Sequence, residues 1–300
     1  MTSPALRVWV LIVLLAAASG CGPWRDPRQT LVRLNVPYTT DAWVGQAGAG
    51  DTAAVTAFLA AGMDANARDA GGHTALMNAA AGGHVEVVRQ LLETGAQVNV
   101  TSARGMTPLA AAILNDHADV VAQLIDAGAA LDAPTVDRSP LLLAIRARRP
   151  QQVTQLLDRG APAYIQDDRW SALMMAAFIG DIEIVNALLS RDANINAAND
   201  EGVTALMYAA SAGHAAVVRA LLAKGAAIDA SDAAGLTALM LAANNGHDET
   251  AQALLAAGPD AGARSRSGAT ARSLASANGH AEIALLLTDI PARALPTTKP

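Results

Sequence analysis

Six histidines, one cysteine and several close pairs of Asp and Asn are the residues of this 300-residue chain that could do chemistry. Histidines clustered in space would hold a zinc ion. Asp64 and Asn66, and again Asn194 and Asn196, are spaced like fragments of calcium loops. Gly45, Gly48 and Gly50 lie in a stretch, GQAGAG, with the composition of a phosphate cradle. Each possibility fails on spacing. His84, His117, His214, His247 and His280 follow one another at intervals of 33, 97, 33 and 33 residues, and His73 stands apart in a loop. Packed helices lie about 10 Å apart, whereas zinc requires its ligands within about 2 Å of one point. Neither Asp/Asn pair continues to the terminal Glu that a calcium loop needs. No strand precedes the glycines and no GK[ST] follows them. GxSxG and HExxH are absent as well, so no catalytic site is expected.

The histidine spacing points to what positions these residues. A pattern of 22 residues, TALMYAASAGHAAVVRALLAKG at 204–225, recurs at 74–95 and at 237–258. Its first residue recurs at Thr74, Thr107, Ser139, Ser171, Thr204, Thr237 and Thr270, in steps of 32 or 33. One further step back reaches Asp41, the expected cap of a degenerate first copy. A fixed period of this length signifies a stacked array. Each Thr or Ser hydroxyl is expected to cap an inner helix, with Pro108 and Pro140 at the first helical position, where a missing N–H costs nothing. Paired alanines such as Ala79 and Ala80 let helices approach closely. Gly83, Gly180, Gly213, Gly246 and Gly279 stop that helix where a left-handed residue is wanted. An outer helix follows, with apolar pairs such as Val87, Val88 and Leu91, Leu92. A second Gly closes it (Gly95, Gly128, Gly160, Gly225, Gly258), and Asp192 replaces this Gly in copy five. Asn66, Asn99, Asn196, Asp132 and Asp229 are turn residues of the connecting loops.

These motifs resemble the ankyrin repeat. The family's T-P-L-H-x-A core reads here TALM, TPLA, SPLL, SALM, TALM and TALM, and G-H and V-V-x-x-L-L-x-x-G-A are kept in most copies. The family's own His is replaced by Met77, Ala110, Leu142, Met174, Met207 or Met240. The resemblance covers roughly residues 38–290. It implies an all-α, ankyrin-repeat solenoid of about eight helix-turn-helix repeats joined by hairpin-like loops, without cofactor or metal, acting on another protein rather than as an enzyme. Apolar content of 52% with only 3% aromatics suits many thin, alanine-rich helices. The net charge of −6 argues against a nucleic-acid partner.

The chain opens with Arg7, an apolar run over residues 8–18, and then Ser19, Gly20 and Cys21. Eleven apolar residues are too few to span a bilayer, which takes about 20. Such a run after a positive start reads as a secretory signal. Ala18, Ser19 and Gly20 before the only cysteine resemble a bacterial lipobox. On this reading residues 1–20 are removed, Cys21 carries lipid, residues 21–37 form a tether, 38–290 the array and 291–300 a disordered tail. Loss of Arg7 takes the charge from −6 to −7. A plain signal peptide with an incidental Cys21 is the alternative. By resemblance, Gly22 after the cysteine favours the outer over the inner membrane, with the array in the periplasm.

Copies four and five depart from the pattern together. Their connections, from 128 to 139 and from 160 to 171, are each one residue short. Residues 133–164 carry Arg138, Arg146, Arg148, Arg149 and Arg159 against Asp137 and Asp158, a local charge of +3. Trp170 precedes the cap of copy five, and Phe178 and Ile179 end its inner helix. In ankyrin proteins the loop tips and inner-helix ends line a concave face that grips partners. That resemblance makes Arg138, Arg146, Trp170, Phe178, Ile179 and Leu114 the partner-binding candidates, with Asn115 and Tyr208 beside them. The alternative is that Phe178 and Ile179 pack copy four on copy five while the arginines form a solvated face. The expected function is a non-catalytic protein-binding scaffold at the bacterial envelope, its partner an envelope stress enzyme or a toxin neutralised by an immunity protein. A purely structural envelope protein is the other reading.

Overall fold

The computed structural model describes residues 26–132, 139–163, 170–191 and 193–288. Cys21, Arg138 and Asp192 lie outside them. Seventeen helices are present among the described residues, with three isolated bridges and no strand. The chain falls into two units, Met1–Ala130 and Leu131–Pro300.

In the first unit, α1 (Pro27–Arg33) precedes three helix pairs: α2 (Thr40–Gly48) with α3 (Thr52–Ala60), α4 (Ala75–Gly82) with α5 (Val85–Glu93), and α6 (Pro108–Leu114) with α7 (Ala118–Asp126). The second unit holds five pairs: α8 (Pro140–Arg146) with α9 (Pro150–Asp158), α10 (Ala172–Ile179) with α11 (Ile182–Leu189), α12 (Ala205–Ala212) with α13 (Ala215–Ala223), α14 (Ala238–Asn245) with α15 (Asp248–Ala256), and α16 (Ala271–Ala277) with α17 (Ala281–Leu286). The eight pairs are the eight copies.

Two expectations for the start of the array need correction. Part of the expected tether, 21–37, is helical: α1 is capped by Asp26, and its Leu31 is buried as the helix packs against α3. The cap of α2 is Thr39, whose hydroxyl accepts from the Ala42 N–H, while Asp41 lies in the first turn. In this end copy the inner helix starts two residues earlier than the register of the other copies would place it, so that register no longer fixes the cap.

The remaining inner helices start as the hydroxyls dictate. Thr74, Thr107, Ser139, Ser171, Thr204, Thr237 and Thr270 each accept from the backbone N–H three residues on. The residues standing in for the family's His, Met77, Ala110, Leu142, Met174, Met207 and Met240, are all buried. Met174 uses its sulfur to accept from the Ser171 N–H, a soft version of a reciprocal cap.

Three sets of bonds tie copy to copy. The first comes from the periodic histidines, whose Nε2 donates to a carbonyl 36 residues earlier: Gly48, Ala81, Phe178, Ser211 and Asn244, at 2.8–3.1 Å. The second is an Asn or Asp ladder in which Asn66, Asn99, Asn196 and Asp229 accept from the N–H of Gln97, Ala130, Ala227 and Asp260, each at 2.8 Å. The third joins loop tips, with Ala103, Ala233 and Arg266 donating to Gly71, Glu201 and Ala234.

The histidine ring gives the glycine before it a second reason. Gly83 has φ +72°, and a Cβ there would stand 2.4 Å from the ring of His117. Gly180, Gly213 and Gly246 meet the next copy's His in the same way. Gly95 also has positive φ, +90°, but nothing lies within 4 Å of a Cβ there, so only its backbone conformation asks for glycine.

Candidate protein-interaction surface

The irregular copies break this bonding scheme where their residues differ. Arg148 stands at the glycine position of copy four with φ 54°. The next copy has Asp181 in place of His, so no ring closes over that site. Asp181 caps α11 instead, accepting from the N–H of Glu183 and Ile184. Arg148 extends its guanidinium to the Ile179 carbonyl at 3.2 Å. Asp116, at the glycine position of copy three, also has positive φ, 64°, and the copy after it has Arg149 for His. The ladder stops as well. The position opposite Asp132 is Pro162, which has no N–H to donate.

Beside this break the structure gathers three aromatic side chains in the second unit. Trp170 stacks on Tyr208 with ring centroids 4.3 Å apart and planes 26° from parallel. Phe178 meets Trp170 edge-on at 5.4 Å and Tyr208 at 6.1 Å. The Tyr208 hydroxyl accepts from the Asn199 amide at 3.3 Å, which fixes the ring. Trp170 and Tyr208 are half-buried, while Phe178 is 51% exposed. Local sequence explains the placement. Trp170 immediately precedes the Ser171 cap, Tyr208 is the fourth residue after the cap of copy six, and Phe178 is the seventh after that of copy five. At the seventh position copies two to eight otherwise carry Ala81, Leu114, Arg146, Ser211, Asn244 and Ala277, and at the fourth Asn78, Ala111, Leu143, Met175, Leu241 and Leu274, none of them aromatic.

Of the sequence candidates, Trp170, Phe178 and Ile179 are brought together with Tyr208. Arg146 takes the place of Phe178 one copy earlier and is exposed at the end of α8. Ile179 is half-buried, and its carbonyl is occupied by Arg148. Leu114 belongs to the first unit, at the end of α6, and is 41% exposed; Asn115 after it donates its amide to the Ala111 carbonyl. Arg138 falls outside the described residues. Trp170, although it lies in the connecting loop just before a cap, is not isolated, because two rings pack against it. A hydrophobic ring so placed lowers its free energy by covering another, even beside solvent.

Sequence reasoning passed over a second feature of the same face. Beyond Phe178, the seventh and eighth positions of copies six to eight carry Ser211, Asn244, Asn245 and Asn278. Asn245 donates to both the carbonyl and the hydroxyl of Ser211, Asn244 donates to Asn245, and Asn278 donates to Asn244. The register of the repeats held the signal, since amides recur at one position.

Among the described residues, no three of His, Cys, Asp and Glu gather as a metal ion would require. His73 is the histidine paired with a carboxylate among the described residues, its Nδ1 lying 3.1 Å from Asp69. Partial burial raises the Asp69 pKa, but bonds from the His73 backbone, the His73 ring and the Gly71 N–H outweigh it and hold the carboxyl below its usual range.

Stacked helix pairs bridged by hairpin-like loops, with an open face of loop tips and inner-helix ends, define a helical repeat solenoid. The family model described as ankyrin repeats (3 copies) matches residues 45–135, 141–232 and 225–295. The chain belongs to the ankyrin-repeat family. No curated protein matches it. Ankyrin repeats indicate a protein-interaction scaffold, and no enzyme family is indicated.

Proposed function

We propose that the chain is a non-catalytic scaffold of the bacterial cell envelope, held to a membrane by lipid on Cys21 and binding a partner protein through the inner-helix face of its second unit. The observation that carries the binding reading is the aromatic cluster. The chain has four Trp, three Tyr and two Phe, and Trp170, Phe178 and Tyr208 among them meet at one half-exposed spot, with Arg146 at the register position of Phe178 one copy earlier. Aromatic and Arg side chains dominate binding energy where partners meet. Exposing them costs solubility, which selection tolerates where a partner covers them.

The envelope reading rests on Arg7, the short apolar run and the lipobox-like residues before Cys21. Among the described residues no helix is long and apolar enough to cross a membrane, so a lipid on Cys21 is the means of attachment the sequence offers. Partners of the expected kind are an envelope stress enzyme or a toxin, and a toxin gene adjoining this one would favour the second.

Cross-linking the native protein in membranes and recovering it, beside its Trp170→Ala variant, tests the binding reading. A partner captured by the native chain and lost from the variant is expected. Equal capture by both would overturn the assignment of this face. Uptake of labelled palmitate by the native chain and not by Cys21→Ser is expected, and a native chain that takes up none removes the anchor.

A further inference from the structure

Resting on that binding reading, we infer that the inner-helix face of the second unit takes an extended polypeptide segment, acidic at the end that meets Arg146 and apolar where it meets Phe178. Three neighbouring chemistries lie along the face in chain order. Arg146 and Arg148 are exposed cations in an otherwise anionic chain. One copy further, Phe178 offers half of its ring to solvent over the Trp170–Tyr208 stack. The amide row follows.

The amides are half-spent. A side-chain amide has two donors and an oxygen with two lone pairs. Asn245 uses both hydrogens on Ser211 and accepts once from Asn244. Asn244 uses one hydrogen on Asn245 and accepts once from Asn278. Asn278 spends its hydrogens on Asn244 and on the Leu274 carbonyl. One Asn244 hydrogen and acceptor capacity on Asn245 and Asn278 remain. A peptide group brings one donor and one acceptor, so a passing backbone matches this remainder whatever its side chains are. The mutual bonds hold the amides in one orientation, and the histidine bonds to the Phe178, Ser211 and Asn244 carbonyls hold the backbone beneath them. Little ordering is then left for binding to impose on this side.

Spacing favours an extended occupant. Repeats about 10 Å apart match about three residues of extended chain at roughly 3.3 Å each. From Arg146 in copy four to Asn278 in copy eight is four steps, so about twelve residues would follow the row. Acidic residues belong at its first end and an apolar residue about three positions on.

A phage-displayed library of twelve random residues, selected on the immobilised full chain, tests this. Enriched clones are expected to share an acidic group with an apolar residue about three positions away, in one chain direction. As synthetic peptides read by fluorescence anisotropy, they should bind Trp170→Ala at least tenfold more weakly, and the Asn245→Ala, Asn278→Ala double variant about tenfold more weakly. Unchanged melting of the double variant shows that it remains folded; if it melts early, Asn278→Ala alone, on the exposed last copy, replaces it and should lose about threefold. No enrichment, or enriched clones without that frame, overturns the inference. If membrane cross-linking still captures a Trp170-dependent partner in that event, the partner presents a folded surface and the binding reading stands. Enriched peptides that ignore Trp170 would overturn both.

Discussion

Two aromatic clusters in this chain are built from the same residue types and end differently. In the first unit, Trp43 and Phe58 are fully buried, with ring centroids 5.5 Å apart, and Tyr38 stacks on Phe58 at 5.6 Å under α1 and the Arg28 guanidinium. In the second unit, Trp170, Tyr208 and Phe178 lie as close together, yet none is fully buried. The difference is what stands above each. The first copy has no predecessor, so its open apolar side must be closed within the chain, and Leu31 of α1 contributes to the cover. The second cluster sits on inner-helix ends, a face that repeat stacking never covers. Burial is therefore a structural necessity at the first cluster, and on the proposed reading it is left to a partner at the second.

The largest effect separating the two should come from truncating each tryptophan. Trp43→Ala empties a wholly enclosed site and should cost about 3–5 kcal/mol of stability, read as a shift in the denaturation midpoint. Trp170→Ala removes stacking from a half-open site and should cost about 1 kcal/mol. Comparable losses at the two positions would mean that the second cluster is also core, and the contrast would collapse.

Binding should reverse the order. Trp170→Ala is expected to weaken partner capture by about 2 kcal/mol or more, while a Trp43→Ala protein that remains folded should bind as the native chain does. Arg146→Glu should slow association with an acidic partner and reduce its dependence on salt. An unchanged salt dependence would detach Arg146 from the face.

Much of this was legible in the sequence because the repeat makes every position a comparison with seven others. Period, caps, closing glycines and the nearness of Trp170 to Phe178 all follow from register. What was not legible arose where register ends or where contacts cross copies. Asp41 yields to Thr39 as a cap, and α1 forms inside the expected tether, because both lie before the first full copy. Tyr208 joins Trp170 from the next copy, so neither residue alone announces the stack. The tie between Gly83 and His117 is likewise invisible within one copy, though the joint loss of Gly and the following His at Arg148 and Asp181 shows it in retrospect.

Arg148 tests how firmly the second cluster is braced. A non-glycine residue at φ 54° is strained by about 1 kcal/mol, and an exposed bond from its guanidinium to Ile179 offsets part of that. Arg148→Gly should therefore stabilise the second unit slightly, by about 0.5 kcal/mol. A loss instead would mean that the hold on the Ile179 carbonyl, next to Phe178, matters more than the strain.

The smallest contrast lies in the two tyrosine hydroxyls. Tyr38 donates to the Ala61 carbonyl at 3.1 Å, and Tyr208 accepts from the Asn199 amide at 3.3 Å. Phenylalanine at either position keeps the ring and removes one bond, a change of about 0.5–1 kcal/mol where the partner cannot turn to water. Tyr38 is itself 38% exposed, so water replaces its bond and Tyr38→Phe should fall at the low end or below. Asn199 is buried, 8% exposed, and its oxygen already accepts from the N–H of Glu201 and Val203 to hold the loop. Its amide hydrogens have little access to water once the hydroxyl is gone, so Tyr208→Phe should cost more than Tyr38→Phe. The hydroxyl then matters to the loop that precedes copy six, and through it to the ring on which Trp170 stacks. Equal losses in the two variants, measured by denaturant titration, would show that Asn199 regains its bond from solvent and that the stack needs no such anchor.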